Sequence, residues 1–345
     1  MPNSVNLAQL ADFDEIIDVR SPSEYREDHI PGALNLPVLD DEERARVGTV
    51  YVRTSSFEAK KIGAALVSRN IARHLETHLS QKPKGWRPLV YCWRGGSRSG
   101  SMVQVLGQIG WRPGQLEGGY KGYRRAVLAE LEALPGRYSF RVVCGPTGSA
   151  KSRLLQALAR LGAQVLDLEE LAAHRGSVLG DVPDARQPSQ KMFDSLVWWK
   201  LRQFDPGRPV YVEAESKKIG NVRVAEALIA AMWQGQCVRL EMESALRIQL
   251  LKEEYAHFLE NPETLHQKLD CLAGLHGREL IGRWKSLAQG GHWDELVGEL
   301  LERHYDPAYS RSTLKHYPHY QKGIVLKATS FTEPDLIRLG GALER

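Results

Sequence analysis

The sequence predicts an α/β protein: two parallel-sheet units followed by a helical C-terminal region. Two observations carry that expectation. Short apolar runs that end in a polar or glycine-containing loop and pass into a helix recur at residues 14–20, 89–92, 138–144, 163–168, 209–214 and 237–242, the rhythm of strands feeding crossover helices. From Glu243 to about Glu302 apolar residues recur instead at helical spacing. A chain of 345 residues is long enough for two domains with real cores.

Composition narrows the class. Hydrophobic residues make up 42% and charged residues 26%, as in ordinary soluble globular proteins. No apolar run is long enough to cross a bilayer and the first residues lack a signal-peptide pattern, so a cytoplasmic protein with no membrane partner is expected. A formal charge of +4 permits an RNA partner without demanding one. The four cysteines, Cys92, Cys144, Cys237 and Cys271, have no paired spacing. Neither a zinc site nor a disulfide framework is indicated, and no protein metal ligands are assigned.

In chain order, residues 14–20 read as a short buried strand ending in Asp18 and Arg20. Ser21 and Pro22 then cap and start a helix. Residues 29–37 form a turn into a second strand. A polar insertion, 40–84, carries a helix over about 59–79, with Ile62, Leu66, Ile71 and Leu75 on one side. Its Lys60, Lys61, Arg69, Arg73 and His74 form either a solvated face or a substrate contact. Residues 122–132 form a further helix. Pro135 and Gly136 then break the chain, and domains are expected at 1–134, 135–245 and 246–345. A last apolar stretch at 323–326 returns as a strand, after an irregular aromatic-rich segment.

The run Leu89-Val90-Tyr91-Cys92-Trp93-Arg94-Gly95-Gly96-Ser97-Arg98-Ser99 takes a strand through a cysteine into a loop and a helix start. Backbone amides curling about the sulfur, the helix N-terminus, Arg94 and Arg98 would all favour the thiolate, below the free pKa of ~8.5. The same cradle would bind an anionic donor of sulfur or selenium. The alternative is a buried core cysteine at a strand end. The strand at 14–20, the turn at 29–37, the Cys92 loop and Leu116-Glu117-Gly118-Gly119-Tyr120 together resemble a rhodanese domain over about residues 5–130. That resemblance implies that Cys92 carries a chalcogen as a persulfide or perselenide. Asp18 and Arg20 are expected to shape the fold and salt-bridge the loop.

Gly145-Pro146-Thr147-Gly148-Ser149-Ala150-Lys151-Ser152 follows a strand and opens a helix, the context of a phosphate-binding P-loop. Its amides and Lys151 would hold a diphosphate, and Ser152 could help hold Mg²⁺ where a metal is used. Ala150 stands where the motif has its second glycine, and its Cβ narrows the loop. An ATPase would end a neighbouring strand in an aspartate. Here residues 209–215 end in Glu213 and Glu215, of which only one is expected to face the loop, Glu215 being nearer. Either could instead partner Lys217 or Lys218. Asp167 and Glu169 end the preceding strand, with Arg175 beyond them.

The cysteine loop followed by the phosphate loop, by Leu166-Asp167-Leu168-Glu169-Glu170-Leu171-Ala172-Ala173-His174-Arg175-Gly176-Ser177, by Gln187-Pro188-Ser189-Gln190-Lys191, by residues 212–220 and by His304-Tyr305-Asp306-Pro307-Ala308-Tyr309 resembles the tRNA 2-selenouridine synthase family along nearly the whole chain. The resemblance implies a rhodanese-like domain joined to a P-loop NTPase-like domain. It also implies an enzyme that converts wobble 2-thiouridine of tRNA to 2-selenouridine. Selenophosphate is the implied selenium donor, and an S-geranylated intermediate is made from geranyl diphosphate. Cys92, Arg94 and Arg98 would be catalytic. Gly145, Thr147, Gly148, Ser149, Ala150, Lys151, Ser152, Arg175 and Glu215 would bind substrate or phosphate. The tRNA anticodon loop would meet residues 303–322, where Tyr305, Tyr309, Tyr317 and Tyr320 interleave with Arg311, Lys315, His316 and Lys322; alternatively those tyrosines pack on the sheet. The competing reading is a rhodanese-type sulfurtransferase fused to a P-loop ATPase or small-molecule kinase.

Overall fold

A computed structural model describes residues 3–344. It divides into two compact units: residues up to Glu130 with Asp194–Leu196, and Leu131–Phe193 with the chain from Val197 onward. The helical C-terminal region belongs to the second unit.

In the first unit the strands are β1 (Asn3–Val5), β2 (Glu15–Asp18), β3 (Leu34–Asn35), β4 (Pro88–Tyr91) and β5 (Gly114–Leu116). Among the described residues they form one sheet in the order β1-β5-β4-β2-β3, every pair parallel. Central β4 is buried throughout, as parallel sheets covered on both faces require. Helices α1 (Pro22–Glu27), α2 (Asp41–Arg53), α3 (Ser56–His74), α4 (Ser97–Ile109) and α5 (Gly119–Ala133) complete it. Ser21 caps α1 and Pro22 opens it, as the residue types dictate. Asp40 accepts from the Glu43 amide at 2.7 Å to start α2. Along α3, Leu66 and Ile71 are buried while Lys60, Lys61, Arg69 and Arg73 face solvent. His74 departs from that solvated face. The helix widens into a π turn at Leu75–Leu79, which turns the ring inward to meet the Pro37 carbonyl at 2.9 Å. Burial lowers its pKa.

The second unit starts with β6 (Phe140–Cys144), α6 (Lys151–Arg160), β7 (Gln164–Leu166), α7 (Leu168–Ala172), α8 (Gln190–Leu201) and β8 (Val210–Glu213). A small hairpin, β9 (Lys218–Ile219) and β10 (Val222–Arg223), precedes α9 (Glu226–Trp233) and β11 (Gln236–Met242). The helical part runs α10 (Ser244–Glu254), α11 (Ala256–Glu260), α12 (Pro262–Asp270), α13 (Ala273–His276), α14 (Arg278–Gln289), α15 (Trp293–Leu300) and α16 (Asp306–His316). β12 (Ile324–Ala328) and α17 (Glu333–Leu343) close the chain. Among the described residues the main sheet is all parallel in the order β12-β11-β6-β8-β7. The helices α11–α15 build a separate apolar core around Leu265, Trp284, Leu296 and Leu300, while Leu250 of α10 packs in the core of the sheet.

One expectation fails here. The segment after Glu302 is not irregular: a π turn at Leu301–Tyr305 passes directly into α16. Pro307 sits in the first turn of that helix, where its missing N–H costs nothing. Asp306 anchors the same turn through a two-pronged ion pair with Arg247, at 2.6 and 3.0 Å.

Candidate functional site

Cys92 follows the last residue of β4, and its loop reaches α4 within five residues. The carbonyl of Cys92 accepts from the Tyr120 amide at 2.8 Å and that of Trp93 from the Lys121 amide at 3.0 Å. The first turn of α5 therefore clasps the loop from behind. The clasp depends on Gly119 at φ +55, where a Cβ would collide with the Cys92 carbonyl oxygen. The sulfur accepts from the Ser99 hydroxyl at 3.2 Å, and Gln115 Nε2 donates to that hydroxyl at 2.9 Å.

The surroundings of the sulfur differ from the expected ring of amides and guanidinium groups. Cys92 is 3% exposed and packs with Val90, Met102, Val103 and Leu106 in the core of the first unit. Arg98 turns to Glu24 on α1, with 2.7 Å between Nη1 and Oε2, so its charge is neutralised there rather than at the sulfur. Arg94 is exposed. The polar neighbours of Sγ are the Ser99 hydroxyl and, at 4.0 Å, the Gly96 carbonyl. Asp18 and Arg20 form a buried pair at 2.5 Å with each other rather than with the loop. The guanidinium lies 3.9 Å from the Tyr120 ring centroid. Their role is structural.

In the second unit, residues 145–150 join β6 to α6. Lys151 Nζ donates to the carbonyls of Gly145 at 2.9 Å and Pro146 at 3.3 Å, folding its charge over the loop. Ala150 adopts φ +65 and ψ 28, the left-handed conformation that the missing glycine would take without strain. The Thr147 carbonyl is held by Arg247 Nε at 2.9 Å. Gly148, at φ +78, lies against Leu251 of α10. Ser149 is fully buried, and its hydroxyl has no hydrogen-bond partner among the described residues.

Behind this loop the structure gathers carboxylates that the sequence reading kept apart. Glu169 accepts from the Ser152 hydroxyl at 3.2 Å, its amide donates to Glu213 Oε1 at 2.9 Å, and it shares a side-chain hydrogen bond with Glu215. Glu213 joins this group from behind, fully buried, while of the two glutamates it is Glu215 that lines the cavity onto which the loop opens. Residues two apart on extended backbone share a face, and β8 ends at Glu213, leaving Glu215 on the loop. Burial, then the neighbouring Glu215, pushes Glu169 up to about 8, against the pull of Lys151. Glu213, fully buried, is raised well above the carboxylate range by burial and by the Glu169, Asp167 and Glu215 charges; Asp167 and Glu215 are raised chiefly by burial. Lys217 lies over the Trp233 ring. Among the described residues no cluster of three or more His, Cys, Asp or Glu is arranged to hold a metal ion.

All of this opens onto a large cavity of about 2410 Å³, much of it continuous with solvent. Residues 147–153, Glu169, Arg175, Glu215, Tyr305, Tyr309 and Tyr317 line it. Arg175 reaches the Glu254 carbonyl at 2.7 Å and lies 4.7 Å from the centroid of Tyr255. Tyr305, Tyr309 and Tyr317 line this cavity, Tyr317 being buried; Tyr320 lies under Arg239 instead, and Arg311, Lys315 and Lys322 face solvent. His316 stacks on Trp233. A second, apolar cavity adjoins the first, and sequence reasoning missed it: its walls come from α10, α11, α12 and α15, whose apolar residues had read simply as core. No helix among the described residues is long and apolar enough to cross a membrane.

Comparison with known proteins agrees with these two units. The model of the rhodanese-like domain matches residues 4–126, and that of the tRNA 2-selenouridine synthase AAA domain matches residues 138–276. The tRNA 2-selenouridine synthase of Nitrosomonas europaea is 35% identical over 244 residues, 70% of this chain and 63% of its own length. That of Marinobacter nauticus is 36% identical over 247 residues, 70% of this chain and 65% of the relative. The match thus spans slightly less than two thirds of these two relatives. The protein of the same name from Hydrogenovibrio crunogenus is 35% identical over 324 residues, covering 85% of this chain and 88% of its own. With both domains matched in order and a relative aligned along most of its length, the chain belongs to the tRNA 2-selenouridine synthase family.

Proposed function

We propose that the chain replaces the C2 sulfur of wobble 2-thiouridine in tRNA by selenium, in two steps that use its two loops. The observation that carries this reading is the phosphate loop: amides and Lys151 gathered at a helix N-terminus, with carboxyl groups whose pKa burial raises behind them. In the first step the thiocarbonyl sulfur attacks C1 of geranyl diphosphate. The C–O bond breaks, pyrophosphate leaves with the electron pair, and the base loses its N3 proton. Lys151 and the loop amides stabilise the charge growing on the departing diphosphate. Mg²⁺, where bound, would be held by Ser152 and diphosphate oxygens and would add to that stabilisation. No hydrolysis of a nucleotide is needed.

Alkylation turns a poor leaving group into a thiol. Selenium delivered to C2 then displaces geranylthiol. Cys92 is the proposed carrier: its sulfur takes the phosphoryl group of selenophosphate, the P–Se bond breaks with its electron pair on selenium to free selenide for C2, and water then returns that group as phosphate, with no change of oxidation state. The Ser99 hydroxyl, donating to the sulfur at 3.2 Å, would orient it for that attack. Arg311, Lys315 and Lys322, exposed beside the cavity-lining tyrosines, supply charges suited to the phosphates of the anticodon loop. The competing ATPase or kinase reading calls for an ionised carboxylate to organise Mg²⁺. Here the neighbouring strand β8 ends in Glu213, whose Oε1 is taken by the Glu169 amide, rather than in an aspartate.

Mass spectrometry of tRNA nucleosides from cells carrying single variants tests the scheme. Cys92→Ser is expected to abolish 2-selenouridine, a loss of at least about a hundredfold, while S-geranyl-2-thiouridine accumulates. Lys151→Ala is expected to deplete both. Unchanged 2-selenouridine in the cysteine variant refutes the carrier role.

A further inference from the structure

An apolar cavity, partly open to solvent, lies beside the phosphate loop. Phe258, Leu265, Trp293, Leu296, Val297 and Leu300 contribute to its walls. Lys252, also at its edge, directs its ammonium away to Asp294 at 2.5 Å and leaves its aliphatic stem behind. Protein interiors rarely leave apolar space of this kind empty, because unfilled walls forfeit dispersion contacts and gain nothing from water.

Its position gives the space a purpose. Thr147, Leu251, Tyr255 and Tyr305 line both this cavity and the larger one that holds the phosphate loop. Leu251 is also the side chain against which Gly148 packs. These shared residues set a seat for a doubly charged head beside an apolar chamber. A ligand matching both carries a diphosphate at one end and a hydrocarbon at the other.

We propose that the apolar cavity holds the hydrocarbon chain of an alkyl diphosphate whose head sits in the loop of residues 145–152, and that Val297 and Trp293 set the chain length accepted. This inference rests on the reading of that loop as a diphosphate site. It adds where the chain goes and what selects it. Val297 and Trp293 are half-buried on the wall, so replacing them alters the chamber with less disturbance than replacing the buried Leu296 or Leu300.

Calorimetric titration of the full chain with inorganic pyrophosphate, dimethylallyl, geranyl and farnesyl diphosphates tests it without relying on any variant. Affinity is expected to rise at least tenfold from pyrophosphate to geranyl diphosphate; no dependence on chain length overturns the proposal. Val297→Trp, which fills the chamber, is expected to weaken geranyl diphosphate at least tenfold while pyrophosphate stays within twofold. Equal losses for both overturn it. Trp293→Ala, which enlarges the chamber, is expected to shift preference at least fivefold toward the farnesyl chain, and an unshifted ratio counts against it. Chain-selective binding by a protein that forms no geranylated nucleoside on thiolated tRNA would retire the functional reading and keep this one. Geranylation at an undiminished rate by Val297→Trp would do the reverse.

Discussion

The two loops are built alike and finished differently. Each leaves a buried central strand of a parallel sheet, turns through glycine and serine, and enters a helix. Around Cys92 packing dominates: the sulfur is nearly sealed, one arginine is spent on Glu24, and α5 clamps the loop through main-chain hydrogen bonds. Around Lys151 charge dominates: the loop faces an open cavity, carries a residue in a strained conformation and stands before a bank of carboxyl groups whose pKa burial raises. A strand–loop–helix unit thus supplies only a place where amides and a helix dipole converge. What the place does is decided by partners far away in sequence.

The sharpest way to break the comparison is to unlock the clamp on the first loop. Gly119→Ala sets a Cβ against the Cys92 carbonyl and the Gly95 amide, both main-chain atoms that cannot swing aside. It also imposes φ +55 on an L-residue. Steric strain of this kind costs about 2–4 kcal/mol. Gly96→Ala meets nothing within 4 Å and is expected to cost little. Urea unfolding that separates the two substitutions by about 2 kcal/mol or more would confirm that the Cys92 loop is held by packing. Equal stability would show that the clasp is soft.

How far these loops could be read in advance follows from the range of the contacts that finish them. Cap, proline and glycine signals are local, so Ser21, Pro22 and the positions of Cys92 and Lys151 were legible. Glu24 and Arg98 lie 74 residues apart, and no local pattern brings them together. The carboxylates come from the ends of two adjacent strands, and no local pattern shows that Glu169, Glu213 and Glu215 meet. The segment after Glu302 read as irregular because it is rich in aromatic residues, although Pro307 in a first turn is a helix start. The apolar cavity was invisible because a residue that lines a void and one that fills a core obey the same periodicity.

The second loop is broken through its proton balance. Glu169 lies at an ordinary carboxylate pKa in the unfolded chain and is pushed up to about 8 when folded. The native state therefore binds the extra proton between these values. Stability is full below about 4.5 and falls as pH rises toward about 8. Glu169→Gln removes that dependence and also lets Glu213 and Glu215 ionise with less repulsion. Allowing for screening at a partly exposed group, the variant is expected to melt roughly 2–6 °C higher than wild type at pH 8. At pH 5 the two should coincide. A gap that is the same at both pH values would mean that packing, not protonation, distinguishes them. The Cys92 loop, with no such cluster behind it, predicts no comparable slope.

The smallest effect lies at Ala150, where three terms nearly cancel. The left-handed backbone at φ +65 costs an L-residue roughly 1–2 kcal/mol, and Ala150→Gly would recover it. Glycine gives back about 0.5–1 kcal/mol through the greater freedom of the unfolded chain. The methyl group, 5% exposed and packed in the sheet core, contributes about 0.8 kcal/mol more. The net change is expected to stay within about 0.5 kcal/mol, which is why alanine is tolerated there. The loop itself should respond more visibly, because a Cβ beside the amides restricts the approach of an anion. Pyrophosphate affinity measured by calorimetry is therefore expected to rise about two- to fivefold in Ala150→Gly with the melting temperature almost unmoved. A clear fall in melting temperature would mean that the methyl packing outweighs the strain, and unchanged affinity would mean that the anion never comes close to residue 150.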